Sequence, residues 1–237
     1  MFKYLFYLII FLSPTINKTE KEIISPLYNS FSTTEEKAEN PDLYTSLALS
    51  EYGLSQEAFL YALTGYNKLQ KEDKLENPDV LTIVDFSQSS KNKRLYVLDL
   101  KENKLLFNTW VSHGRNTGDE FAENFSNTDG SWQSSLGFYM TQGTNMGAKV
   151  GFSLIMEGLE RGINDNAKSR QIIMHGADYA TENFIHQTGR LGRSFGCPAV
   201  PPEMIEPIVD VISGGSLLFI YYPDENYLNK SKMLLEV

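Results

Sequence analysis

The chain has 237 residues, of which 41% are apolar, 12% aromatic and 22% charged, and this composition excludes a wholly disordered polymer, a collagen-like repeat and a disulfide-built miniprotein. The 30 Asp and Glu against 21 Lys and Arg leave a net charge of −9, which repels a phosphate backbone and argues against nucleic acid as a partner. Folding at this size hides roughly 70% of the surface of the extended chain, enough for a core without covalent staples.

Residues 1–16 read as a signal peptide. Lys3 gives a positive end, residues 4–12 are an unbroken apolar run, and Ser13 and Pro14 close it, the outline of an export signal. The run is shorter than the roughly 20 apolar residues that cross a bilayer. It lacks an Ala-x-Ala-like triplet, so an uncleaved anchor is the alternative. The reading predicts a periplasmic or secreted protein with no stable membrane insertion after signal removal. Residues 17–40, rich in Lys, Glu, Ser, Thr and Asn, predict a linker. Residues 41–75 predict a small helical cap: Leu43, Leu47 and Leu49 mark one short helix. Ser55 then stands as N-cap of a second, carrying Phe59, Leu60, Leu63, Tyr66 and Leu69 at helical spacing.

From residue 79 the pattern turns to strands. The runs at 80–86, 94–100 and 105–111 are short, β-branched and aromatic, separated by Ser, Asn and Lys turns, and predict a meander. Further strands are expected at 137–141, 151–156, 171–175 and 216–222, and a helix at 202–212 that starts on Pro202 and stops before Gly214 and Gly215. The expected fold is mixed and β-dominated, with residues 79–224 as the main domain and 225–237 as a tail. Residues 115–145 carry little strand-like sequence, and a loop of that length in a compact domain marks a wall or lid.

Cys197 is the sole cysteine. An exported protein seldom keeps a lone thiol, which invites stray bridges. Its surroundings, Arg193-Ser194-Phe195-Gly196-Cys197-Pro198, are polar and cationic, and nearby positive charge favours the reactive thiolate. A thiol nucleophile needs a base within reach and a third group to orient that base. Of the three histidines, His175 lies 22 positions before Cys197, where an apolar strand opens at Gly176.

The stretch Ile173-Met174-His175-Gly176-Ala177, the stretch Gly192-Arg193-Ser194-Phe195-Gly196-Cys197-Pro198-Ala199-Val200 and the meander before them together resemble the murein L,D-transpeptidase catalytic domain family, cysteine enzymes of the bacterial cell wall. The likeness covers roughly residues 79–222. It implies an L,D-transpeptidase-like β-sandwich or meander, with Cys197 as nucleophile, His175 as its base and the Gly176 carbonyl as the group that orients the imidazole. Ser194 and Gly196 fall on motif positions, whereas Phe195 stands where the family commonly has His. Arg193 and Arg190 are placed to hold a substrate carboxylate, and Tyr139, in a strand like one of the family's, to line the site or face the oxyanion.

The implied reaction forms a Cys197 thioester with a donor stem tetrapeptide, releases D-Ala, and transfers the acyl group to a diaminopimelate amine of another stem. No cofactor is required. Peptidoglycan stem peptides are the expected partners, and carbapenem-type inhibitors are expected to acylate the thiol. Three alternatives stay open: hydrolysis of the same thioester by an L,D-carboxypeptidase, a metal-dependent enzyme using His113, His175, Asp178 and His186, and a non-catalytic wall-binding protein.

Overall fold

The computed structural model describes residues 43–235; the expected signal peptide and linker lie outside them. Helix α1 (Leu43–Ser46) is a single turn, and α2 (Gln56–Lys71) follows. Ser55 caps α2 as its sequence predicts: the hydroxyl accepts the Ala58 N–H at 3.2 Å, an interaction worth about 1 kcal/mol. Glu57 in the first turn and Lys68 and Lys71 in the last oppose the helix dipole. The buried face carries Phe59, Ala62, Tyr66 and Leu69, in one core with the sheet residues Leu81, Ile83, Phe138 and Phe219.

The strands are β1 (Val80–Asp85), β2 (Leu95–Asp99), β3 (Lys104–Thr109), β4 (Gly137–Gly147), β5 (Gly151–Gly158), β6 (Ile173–Gly176), β7 (Ala199–Val200) and β8 (Leu217–Tyr221). Among the described residues they form one mixed eight-stranded sheet, in the order β3-β2-β1-β8-β4-β5-β6-β7. The expected meander forms its first three strands, with antiparallel pairings Ile83↔Tyr96 and Val97↔Phe107. Pairing then becomes non-local, as β8 inserts parallel to β1 (Ile83↔Phe219) and antiparallel to β4 (Phe138↔Phe219). Helix α2 packs on β1 and β8, while α4 (Pro202–Ile212) packs on β1, β5 and β6. With two helices against it, all six residues of β1 are buried, the pattern of a strand covered on both faces.

The sheet almost closes on itself. Ser112, three residues beyond β3, bridges to Ala199 of β7 at the opposite edge, and Gly114 bridges to Ser194. These contacts bring the segment after β3 beside the Cys197 loop.

Three parts differ from the sequence expectation. The loop expected over 115–145 ends in strand, because β4 runs on to Gly147. Beyond Thr141 it pairs with β5 alone, through Thr144↔Leu154 and Met146↔Phe152, as a two-stranded arm. Between β6 and β7 lie a short 3-10 turn (Asp178–Ala180) and α3 (Glu182–Thr188). The expected tail holds α5 (Glu225–Lys230), fastened by buried Glu160, whose carboxylate accepts the Phe138 N–H at 2.8 Å, the Tyr227 hydroxyl at 3.1 Å and the Ser231 hydroxyl.

Candidate active site

β6 sets His175 between β5 and β7, paired to Ser153 on one side and Ala199 on the other. Along β6, Met174 faces the core with no exposure, so by alternation Ile173 and His175 project to the other face. The His175 ring is buried but for 7% of the residue surface. Its Nδ1 lies 2.9 Å from the Gly176 carbonyl oxygen. A carbonyl can only accept, so Nδ1 carries the proton and Nε2 keeps its lone pair. Gly176 thus fixes a tautomer that leaves Nε2 open as a hydrogen-bond acceptor.

His175 pairs in parallel with Ala199 and its backbone N–H donates to the Pro198 carbonyl at 3.3 Å, so Cys197, just ahead of the two-residue β7, comes beside the start of β6. The half-buried thiol rests against the Ile173 backbone and donates to the Gln171 carbonyl at 3.6 Å. Among the described residues it makes no hydrogen bond to His175. Burial pushes the thiol up from its ordinary value, while Arg170 pulls the other way. This corrects the sequence expectation of a thiol already lowered by its cationic neighbours.

The loop before the thiol is held by Ser194 and Gly196. The Ser194 hydroxyl donates to the Cys197 carbonyl at 2.6 Å and accepts the Gly196 N–H at 3.0 Å. Ser194 therefore shapes the turn, and the Gly196 N–H is not available to a substrate oxyanion. The Cys197 N–H, by contrast, has no hydrogen-bond partner among the described residues. Gly196 sits at φ +125°, and a Cβ there would lie 2.8 Å from the Gln133 carbonyl oxygen and 3.0 Å from the Ile172 methyl. Glycine is required by that backbone and that crowding.

Two other expected residues are placed differently. Tyr139 is sealed in the core with no exposed surface, its hydroxyl donating to the Ser135 carbonyl at 3.0 Å, so it neither lines the site nor meets an oxyanion. Arg193 is committed to the 115–119 loop: its guanidinium pairs with Asp119 at 2.6 Å and donates to the Arg115 and Gly118 carbonyls. Arg190 lies 3.8 Å from the same carboxylate. A shallow cleft of about 470 Å³ opens over Arg193, bounded by Arg115, Asp119, Phe121 and Glu123; neither Cys197 nor His175 lines it. Phe195 is 64% exposed and Trp132 45% exposed. Their rings meet edge-on at 5.4 Å, and the Arg115 guanidinium sits 5.2 Å from the Trp132 ring.

Sequence reasoning missed Arg170 and the Arg94–His113 pair. Arg94 is fully buried and donates to the Val111 and Gln88 carbonyls and to His113 Nδ1 at 2.8 Å. His113 Nε2 lies 3.3 Å from the Gly118 carbonyl, so this ring is neutral with Nε2 protonated. Burial, reinforced by Arg94, holds it down to about 3. An arginine alternating with strand residues carries no local signal of burial. The four residues weighed as metal ligands do not come together: His113 is taken by Arg94, and His186 lies exposed on α3, 4.0 Å from Glu182. No group of three potential ligands forms among the described residues.

The L,D-transpeptidase catalytic domain model matches residues 50–221, and the chain belongs to that family. Among solved structures, the chain is similar to the L,D-transpeptidase from Mycobacterium smegmatis at 13% identity and TM-score 0.38, covering 61% of this chain and 59% of that one. An L,D-transpeptidase from Mycobacterium tuberculosis matches at 14% identity and TM-score 0.37, over 61% of this chain and 58% of that one. A variant of the Enterococcus faecium L,D-transpeptidase matches at 12% identity and TM-score 0.37, over 60% and 50%. The chain thus spans less than two thirds of the length of each. No curated protein matches it.

Proposed function

We propose that this protein is an exported peptidoglycan L,D-transpeptidase with Cys197 as nucleophile and His175 as general base. The observation that supports the reading is the His175 ring, oriented by the Gly176 carbonyl at 2.9 Å on a strand paired with β7, which begins two residues after Cys197, in a chain of the L,D-transpeptidase family. Sγ turns from the Gln171 carbonyl toward Nε2 and gives up its proton. The thiolate attacks the carbonyl between the L-centre and the terminal D-Ala of a stem tetrapeptide. The Cys197 N–H takes the developing oxyanion, a contribution typically worth about 3 kcal/mol per donor. The C–N bond breaks as His175 returns the proton to the departing D-Ala amine, leaving a thioester. A diaminopimelate amine of a second stem then attacks, its proton passes to His175, and a new amide forms as the thiolate is released.

Export through residues 1–16 and acylation of Cys197 by carbapenems belong to the same reading. Among the described residues no helix is long and apolar enough to cross a membrane. The test is mass analysis of products from one defined tetrapeptide stem, with and without an acceptor stem. Cross-linked dimer and free D-Ala are expected. Free D-Ala with only trimmed tripeptide, even when acceptor is abundant, would replace transfer by hydrolysis, and bound but unchanged stems would leave a wall-binding protein.

A further inference from the structure

Among the described residues, the cation that acts on the thiol is Arg170, which lies outside the cysteine motif. Arg170 precedes β6 and is half-buried. Its guanidinium donates to the Ser126 carbonyl and the Ser135 hydroxyl at 2.7 Å each, to the Gln133 carbonyl at 2.7 Å and to the Ser131 hydroxyl at 3.2 Å. Every acceptor is an uncharged oxygen, and no carboxylate lies within ion-pair distance of it among the described residues. The hydrogen-bonding capacity of this cation is therefore largely used by neutral oxygens, while the Asp129 carboxylate acts on its charge only from beyond ion-pair distance. A position one Cβ out from Gly196 lies 3.5 Å from the Arg170 nitrogen that binds Gln133, which sets the charge directly behind the residue preceding the nucleophile. Tyr179 on the 3-10 turn also acts on the thiol, and Asp129 on the 126–135 segment acts on Arg170. Tyr179 is raised to about 12, chiefly by burial, so it is neutral at working pH.

We propose that Arg170 is a positioning residue with two linked tasks: it holds the 126–135 strap against the Gly196 loop, and it supplies the fixed positive charge that keeps the Cys197 thiolate accessible in a site whose burial opposes it. The physical basis is general: a cation near a partly desolvated thiol favours the thiolate. The inference rests on Cys197 being the nucleophile, but its test does not need turnover.

The experiment is the pH dependence of Cys197 alkylation by iodoacetamide in the full chain, for wild type, Arg170→Gln, Arg170→Lys and Ser135→Ala. In Arg170→Gln the midpoint should rise by about one pH unit and the rate at neutral pH fall roughly tenfold. Arg170→Lys keeps the charge but not the four-acceptor fork, so its midpoint should stay near wild type while the strap becomes more open to protease. Ser135→Ala removes one strap bond and keeps the charge, so its midpoint should not move. A midpoint in folded Arg170→Gln equal to wild type would overturn the proposal. If that variant does not fold, a rise in Arg170→Lys as large as one unit would overturn it. Normal alkylation profiles in an enzyme that transfers nothing would count against the reaction proposed above and leave Arg170 untouched.

Discussion

At the scale of single residues, tautomer and desolvation decide what each histidine can do. His175 and His113 are both buried, yet one presents a free Nε2 and the other spends both nitrogens, on Arg94 and on the Gly118 carbonyl. Replacing His175 with Ala should abolish acylation with little loss of stability, read as a missing mass shift on a protein with an unchanged melting temperature; a retained adduct would remove the base. His113 carries a stability prediction instead. Its folded value of about 3 lies below the ordinary 6.5, so between those values the unfolded chain binds a proton that the folded chain refuses. Stability should then rise with pH from about 3 to 6.5, by up to about 1.4 kcal/mol per unit, and gain nothing further above that window. Glu160, raised by burial, works in the opposite sense, its share being lost as pH climbs past the ordinary carboxylate range. Urea melts from pH 4 to 7 should show a shallower acid slope in His113→Gln than in wild type, and equal slopes would contradict the burial argument. Cys197 and His175 were legible as candidates because motif spacing picks them out. Arg170 was not, since one arginine ahead of an apolar run looks like any solvated charge.

At the scale of elements, local pattern foretold what local pattern controls. The Ser55 cap, the meander of β1 to β3 and the helix from Pro202 to Ile212 follow from capping, alternation and a proline start. The outer half of β4 did not, because Gln142, Gly143, Thr144 and Asn145 carry no apolar alternation and are held by pairing with β5 alone. Helix α3 has no buried residue and α5 buries only Tyr227, so neither has an amphipathic stripe to read. Two glycines set how closely elements approach. Gly65 in α2 lies where a Cβ would be 2.2 Å from the Phe138 ring. Gly65→Ala, favourable by helix propensity, should therefore destabilise by about 1–3 kcal/mol through overpacking. Gly196→Ala should cost a similar amount through its φ of +125° and remove Cys197 reactivity as well. Denaturant midpoints together with thiol alkylation separate the two: lost stability with retained thiol reactivity at position 196 would contradict the role given to that turn.

At the scale of the whole molecule, the site exists because the sheet curls until its ends meet. His175, the Ser194 to Cys197 turn, Gly114 and the strap held by Arg170 come from distant stretches of chain, joined by the Ser112↔Ala199 and Gly114↔Ser194 bridges. Such long-range pairing leaves no mark in a local window, which is why a sequence offers candidates for nucleophile and base but not the walls around them. Because α2 shares one core with the sheet, heating residues 41–237 should give a single calorimetric transition; two resolved transitions would mean the helical segment is a separate unit. The most direct measurement of the central claim is peptide mapping of enzyme quenched during reaction with a defined tetrapeptide stem. The account predicts a tripeptidyl adduct on Cys197, formed with loss of D-Ala and absent from Cys197→Ala and His175→Ala. Turnover with no adduct in the wild type, or an equal yield of product from Cys197→Ala, would contradict it.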